Sequence, residues 1–225
     1  MAYKRLNNLE SRLDRNLGIR EILQKQIEEY VVKGYAHKIT KRELSETSPE
    51  HCWNLPLNYV INPKKPGKIR MVWDAAAKSN GVSFNDSLLK GPDLVTSLSA
   101  VINGFCERKV AFGGDIREMF HQIMVRQEDR EAQRFLFRSD TNDEPEIYVM
   151  DVVIFGASCS PCLAQFVKNQ NAREHLQNYP AAVNAIIRKH YVDDYYDSVD
   201  TEAEAVALAK DVKKVHADAG FEIRN

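Results

Sequence analysis

Two adjacent acids, Asp193 and Asp194, sit between two β-prone runs, Ile186 to Tyr191 and Tyr195 to Val199. Burying two unpaired carboxylates is costly, so the runs are expected to fold back as a tight hairpin with both acids at its tip. Far upstream, Val110 to Ile116 reads as another short strand that reaches an acid, Asp115, near its end, with a turn or helix start over Arg117 to His121. If the two elements are neighbours in one sheet, three carboxylates meet.

The rest of the chain supplies strands and helices in alternation. Leu9, Leu13, Leu17, Ile22, Leu23, Ile27, Tyr30 and Val31 recur at helical spacing, with a break near Gly18 and a stop at Gly34. That predicts an amphipathic helical leader with a packing role. Residues 45–58 read as a loop interrupted by Pro49 and Pro56. Leu57 to Asn62 and Ile69 to Trp73 flank the basic Pro/Gly turn 63–68 and predict a hairpin. Pro92 is expected to open a helix over Leu94 to Ile102. Arg134 to Arg138 and Glu146 to Phe155 predict paired strands, Ser160-Pro161 a helix start running to about Gln177, and Pro180 a second helix. Thr201-x-x-Glu204 is a capping box before an alanine-rich helix that stops at Gly220, and Phe221 to Arg224 resumes as a strand. The pattern predicts an α+β fold: an antiparallel sheet with helices on one face.

Composition sets limits. The 225 residues, 44% hydrophobic and 28% charged, can bury one good core or two modest lobes. A net charge of −1 argues against a non-specific nucleic-acid coat, but charge is locally segregated: Lys64, Lys65, Lys68 and Arg70 lie together, as do Asp193, Asp194, Asp197 and Asp200. No apolar run approaches the roughly 20 residues that span a bilayer, and the first residues lack a secretion-signal core. That places the chain away from membranes and inside the cell, in the cytoplasm, with the nucleus as the alternative. Cys159 and Cys162 form a C-x-x-C with no second pair to complete a zinc set, so a buried, inert pair is expected.

Nucleotidyl transfer uses two divalent ions close together, one activating a primer 3′-hydroxyl and one holding a triphosphate. Magnesium takes hard oxygen ligands, so such chemistry needs carboxylates at adjacent strand ends. Asp115, Asp193 and Asp194 supply that set. A solitary Asp-Asp pair is usually only a solvated surface feature; the order of strand-end Asp, Ser-Pro helix start and Tyr-Val-Asp-Asp hairpin carries the signal.

That order, with Lys68 to Ala75, Asn80 to Asp86, Lys90 to Leu94, Asp115 to Gln122, Ile154 to Ala157, Ser160-Pro161-Cys162 and Tyr191 to Asp194, resembles the reverse transcriptases of LTR retrotransposons, and most closely those of the Pao/BEL group. The resemblance runs from about Leu55 to Asn225 and implies a right-hand polymerase palm and fingers. It implies that Asp115, Asp193 and Asp194, assisted by the carbonyl of Ile116, bind two Mg2+ ions, with Mn2+ as a substitute. Arg70 and a lysine among Lys64, Lys65 and Lys68 would clamp the triphosphate, with a solvated turn as the alternative reading. Phe120 would underlie the sugar and exclude a 2′-hydroxyl, with a core phenylalanine as the alternative. Phe155-Gly156 would pack beneath the nucleotide, with Phe155 where many retroviral enzymes carry Gln. Ser160, Pro161 and Tyr191 are motif residues of structural kind, and Gly114 and Arg117 depart from the residues expected beside the first Asp.

The implied organisation is a helical leader over 1–45, fingers over 46–104, palm over 105–130, a fingers/palm hairpin over 131–150 and palm over 151–225. The implied partners are an RNA or DNA template with primer, deoxynucleoside triphosphates, and the downstream thumb and RNase H regions of a polyprotein. Without a thumb, residues 1–225 are expected to extend primers weakly. The competing reading is a truncated, inactive or domesticated remnant that at most binds nucleic acid or protein.

Overall fold

A computed structural model of the chain describes residues 2–46 and 48–224, with the side chains of Lys41, Pro49 and residues 65–68 outside the described set. In chain order the elements are α1 (Ala2–Leu13), α2 (Leu17–Val32), β1 (Ala36–Lys38), α3 (Lys41–Glu46), β2 (Leu57–Asn62), β3 (Lys65–Trp73), α4 (Leu98–Phe105), β4 (Val110–Ile116), β5 (Arg134–Phe137), β6 (Glu146–Met150), α5 (Ser160–Glu174), α6 (Pro180–Arg188), β7 (His190–Tyr191), β8 (Asp194–Val199), α7 (Glu202–Ala217) and β9 (Ile223–Arg224). They form two units, residues 1–89 with 124–160, and residues 90–123 with 161–225. No described helix is long and apolar enough to cross a membrane.

In the first unit the leader's apolar stripe is used for packing. Leu6, Leu9 and Leu13 of α1 and Ile19, Leu23, Ile27 and Tyr30 of α2 are buried. The break falls at residues 14–16 rather than at Gly18, because Asn16 caps α2 by accepting from the Ile19 amide. Leu17 and Val31, read as part of the apolar face, are exposed. The stripe meets an aromatic core in which Trp73 packs edge-on to Phe135 at 5.9 Å, and Phe135 stacks on Tyr148 at 5.4 Å. One buried charge joins α1 to the chain after β5: both oxygens of Glu10 accept from Arg138, at 2.7 and 3.0 Å. Strands order as β1-β6-β5, and β2–β3 forms the expected hairpin, with β3 beginning earlier, at Lys65. β6 stops at Met150, short of the expected Phe155; Val152 makes only an isolated bridge to Met124.

The second unit holds the sheet β7-β8-β4-β9, antiparallel at every pairing. Side chains alternate across a strand, so Phe112 and Ile116 of β4 share one face with Tyr195 and Asp197 of β8, while Asp115 shares the other with Asp194 and Tyr196. Helices α5, α6 and α7 bury the first face: Ala172, Ala182, Val183, Ile186, Val212 and Val215 close over Tyr195 and Phe112. The acids are therefore left on the other face.

Several boundaries differ from expectation. Pro92 does not start a helix; Asp93 accepts from the Val95 amide in a local turn, and α4 begins after Ser97, which caps it by accepting from the Ala100 amide at 3.3 Å. The run from Ile186 is helical through Arg188, because Val183 and Ile186 share the buried face of α6, and β7 shrinks to two residues. Pro180 and the Thr201–Glu204 capping box open α6 and α7 as expected. Cys159 and Cys162 are half-buried rather than a buried pair, since they flank the exposed entry of α5.

Three bases are buried beneath the sheet. Lys168 is fully buried and donates to the Ile186 carbonyl at 3.1 Å. His190 stacks on Tyr195 at 4.9 Å and meets His216 edge-on at 5.1 Å. Burial lowers Lys168 to about 7 and His216 to about 3. A depressed base makes the unfolded chain bind more protons than the folded one, so stability rises with pH between about 7 and the ordinary lysine value near 10. In urea unfolding at pH 7.5 and 9.5, the wild-type midpoint is expected to rise and Lys168→Met to flatten that rise; equal slopes would refute the assignment.

Candidate active site

The site begins with strand register. Ile116 donates its backbone N–H to the Asp193 carbonyl at 2.8 Å, and the Cα of Asp115 pairs with that of Asp194. This makes 116/193 a hydrogen-bonded pair and 115/194 a non-hydrogen-bonded one, the class in which opposed side chains stand closest, with Cα atoms about 4.5 Å apart. Two carboxylates thus face each other on one sheet face, and Asp193 sits beside them in the turn. Asp115 and Asp193 are exposed and Asp194 is half-buried.

The electrostatics follow. Partial burial raises the Asp194 carboxyl above its ordinary range, and the Asp193 and Asp115 carboxylates push it the same way. Among the described residues no three His, Cys, Asp or Glu side chains converge into a ready-made cation cage. The acids form a rim instead. Its chemistry nevertheless fits a hard divalent cation, because all three donors are carboxylates and bound positive charge would relieve their repulsion.

Backbone strain marks the same place. Val192 and Asp193 are the two residues between paired Tyr191 and Asp194, and Val192 has φ of +56°. A positive first central φ alone is the pattern of a type II′ turn, which glycine favours there. For a β-branched residue this conformation costs on the order of 1–3 kcal/mol and must be held by its surroundings. Gln165 of α5 donates to the Val192 carbonyl at 3.0 Å, a contact that no local pattern announces. On the neighbouring strand edge, Gly114 admits β9: a Cβ there would strike the Arg224 carbonyl and come within 2.8 Å of Ile223. The departure at 114 therefore has a packing reason. Arg117 pairs with Glu222 at 3.0 Å.

Phe120 is half-buried and packs against the cluster of Ile116, Met119, Ala164 and Phe221. It belongs to the acids' own unit.

Of the remaining expected residues, Pro161 and Tyr191 lie in the second unit and the others in the first. Lys64 and Arg70 are exposed on the β2–β3 hairpin, and the side chains of Lys65 and Lys68 lie outside the described residues. Phe155 is half-exposed, at 40%. Gly156, at φ +120°, lies so close to the Trp73 carbonyl that a Cβ would collide with it. Asn85 fixes this loop, donating to the Gly156 carbonyl at 3.2 Å and accepting from the Ser158 amide at 2.8 Å. Ser160 is buried and donates to the Ile154 carbonyl at 2.7 Å, while Pro161 is exposed in the first turn of α5. Tyr191 is exposed at the foot of the turn.

The comparisons agree with this architecture. Residues 63–225 match the family model described as reverse transcriptase (RNA-dependent DNA polymerase). The Gag-Pol polyproteins of Rous sarcoma virus subgroup C (strain Prague) and avian leukosis virus subgroup A (isolate RSA) are each 27% identical over 173 residues, covering 76% of this chain. The chain spans about 10% of the length of each polyprotein. A foamy viral protease–reverse transcriptase in complex with RNA/DNA hybrid gives a TM-score of 0.67 at 19% identity, over 92% of this chain and 24% of that one. The same viral enzyme in a dRH form with double-stranded DNA gives 0.65 at 20% identity, over 89% and 30%. The mixed α/β architecture is thus the palm-and-fingers polymerase fold. With the family model covering most of its length, the chain belongs to the reverse transcriptase (RNA-dependent DNA polymerase) family.

Proposed function

We propose that the chain is the palm and fingers of an RNA-directed DNA polymerase from a Pao/BEL-type LTR retrotransposon, adding deoxynucleotides to a primer 3′-hydroxyl on an RNA or DNA template. The observation that carries this reading is the register of Asp115 against Asp194, with Asp193 in the adjoining turn. We assign the palm to residues 105–130 and 151–225, the fingers to 46–104 with a helical leader over 1–45, and a hairpin shared by fingers and palm to 131–150. The Pao/BEL origin rests on the group-like motifs at 68–75, 80–86 and 90–94, and on Phe155 in place of Gln.

Asp115, Asp193, Asp194 and the Ile116 carbonyl are the groups that would hold two divalent cations, Mg2+ or Mn2+. Such ions supply a lowered pKa at the attacking hydroxyl and neutralise charge on the triphosphate. The chain's own residues do the rest. The β4–β8 register fixes the spacing of the acids, and Arg70 with Lys64, Lys65 or Lys68 binds phosphate oxygens from the fingers hairpin. Phe120 presents a ring edge rather than a hydrogen-bonding group to the sugar, so a 2′-hydroxyl is rejected. Phe155 and Gly156 give an apolar, close-approach surface beneath the base. Downstream thumb and RNase H regions of a polyprotein complete the grip on the duplex.

Four measurements test the reading. Asp194→Asn is expected to raise the thermal midpoint at pH 7 and leave it unchanged at pH 3: the acid's raised pKa means its ionised form destabilises the fold, and below the ordinary carboxylate range both side chains are neutral. Adding Mg2+ should then stabilise the wild type and not Asp193→Asn/Asp194→Asn. That double variant, placed in a chain with its downstream regions, should lose at least about a hundredfold of primer extension on an RNA template; unchanged synthesis would sink the catalytic assignment. Phe120→Val should raise ribonucleotide relative to deoxynucleotide incorporation, and a constant ratio would return Phe120 to a packing role.

A further inference from the structure

The acidic turn is short of internal support. β7 is two residues long, and its turn holds a β-branched residue at positive φ. The carbonyl of Val192 belongs to the central peptide of that turn, so it points away from the strand ladder. A buried acceptor without a donor is unfavourable, and here the donor comes from another element. Gln165, 1% exposed, gives its Nε2–H to Val192 at 3.0 Å. Lys168, one helical turn later and on the same face of α5, gives its Nζ–H to Ile186 at 3.1 Å, in the last turn of α6 just before β7. The two side chains thus bracket the segment, residues 186–192, that leads into the acids. From the other side, the Ile116 amide holds the Asp193 carbonyl at 2.8 Å.

We propose that Gln165 is a positioning residue for the acidic rim: its hydrogen bond to Val192 keeps the two-residue turn in the strained form that sets Asp193 and Asp194 beside Asp115, with Lys168 anchoring the end of α6 that leads into β7. Its consequence for metal binding rests on the polymerase reading, but its geometry does not. Gln165 touches no reacting group. It acts through the backbone of Val192, which separates it from a residue that merely fills space in α5.

Hydrogen exchange of the Ile116 amide reads this directly, because that N–H is protected only while the turn stays docked on β4. Gln165→Met, nearly isosteric and without a donor, should speed exchange at Ile116 about tenfold, the loss of one buried hydrogen bond, while amides in the middle of α7 keep wild-type protection. Val192→Gly removes the φ strain and should restore protection in the Gln165→Met background. Gln165→Glu covers the case in which the methionine variant fails to fold. Its protonated form can donate and its carboxylate cannot, so Ile116 should be protected at pH 4 and lose protection at pH 7. Wild-type-like protection in Gln165→Met, no rescue by Val192→Gly, or pH-independent protection in Gln165→Glu would each overturn the proposal. Mn2+ affinity of the 225-residue chain, read by electron paramagnetic resonance, tests the linked function. It should fall about tenfold in Gln165→Met. If Mn2+ binding is insensitive to Asp193→Asn, the metal reading fails, and the exchange result still decides the role of Gln165.

Discussion

One register decides the chemistry of this molecule: Asp115 opposite Asp194 in a non-hydrogen-bonded pair. A slip of one residue would turn every side chain of β8 to the other face, sending Asp194 into the helices and Tyr195 to the acids' side. The slip is prevented by packing. Tyr195 is 2% exposed, stacked on His190 and set edge-on to Phe112 at 5.8 Å, and its hydroxyl donates to Asp197 at 3.2 Å. The like-charged pair is thus held by apolar contacts on the opposite face of the same strand. Repulsion among the acids opposes folding, and burial of α5, α6 and α7 over the sheet outweighs it. That division of labour explains why the acid rim carries so little structure of its own.

The first unit solves a different problem. Its hairpin β2–β3 must project exposed cations while remaining ordered, and it does so by rooting the apolar positions Leu57, Ile69, Met71 and Trp73 in a core shared with the leader helices. Arg70 alternates outward between buried Ile69 and Met71. The leader is therefore part of what holds the hairpin. The Glu10–Arg138 pair ties α1 in place with charges that are mutually compensated, so breaking it by removing one partner would leave a buried charge. Asn85 plays the corresponding role for Gly156, replacing regular structure with two side-chain hydrogen bonds where no strand is present.

What could be read in the sequence had local causes. The strand to Asp115, the acidic turn, the β2–β3 hairpin, Pro180 and the Thr201 box all follow from alternation, turn chemistry or capping within a few residues. What could not be read had tertiary causes. Pro92 suggests a helix only until Asp93 diverts the chain. Ile186 and Ile187 look like strand residues until α6 is seen to bury Ile186 against Val183. Gln165, Lys168 and Asn169 look like the solvated side of α5, yet all three are buried. Polar side chains in a helix announce a partner only when the carbonyls they reach are known, and those lie 27 and 18 residues away in the chain. The cations Lys64 and Arg70 of the β2–β3 hairpin were legible as residue types and as exposed positions, because both follow from local turn chemistry and strand alternation.

The choice of valine at the strained turn position follows from the same reasoning. Glycine would adopt φ +56° without penalty, but it would also give the unfolded chain more freedom and the folded turn more conformations. Valine is stiff, so once its carbonyl is held by Gln165 and the next by Ile116, the turn has few alternatives. Strain of this kind persists only where surrounding bonds over-determine the backbone. Here those bonds come from a helix on one side and a strand on the other, and the residue they fix is the one immediately before the two acids. A pair of carboxylates that must meet a third across a sheet benefits more from a stiff, externally braced turn than from a relaxed one, because small displacements at the turn are carried directly into the spacing of the donors.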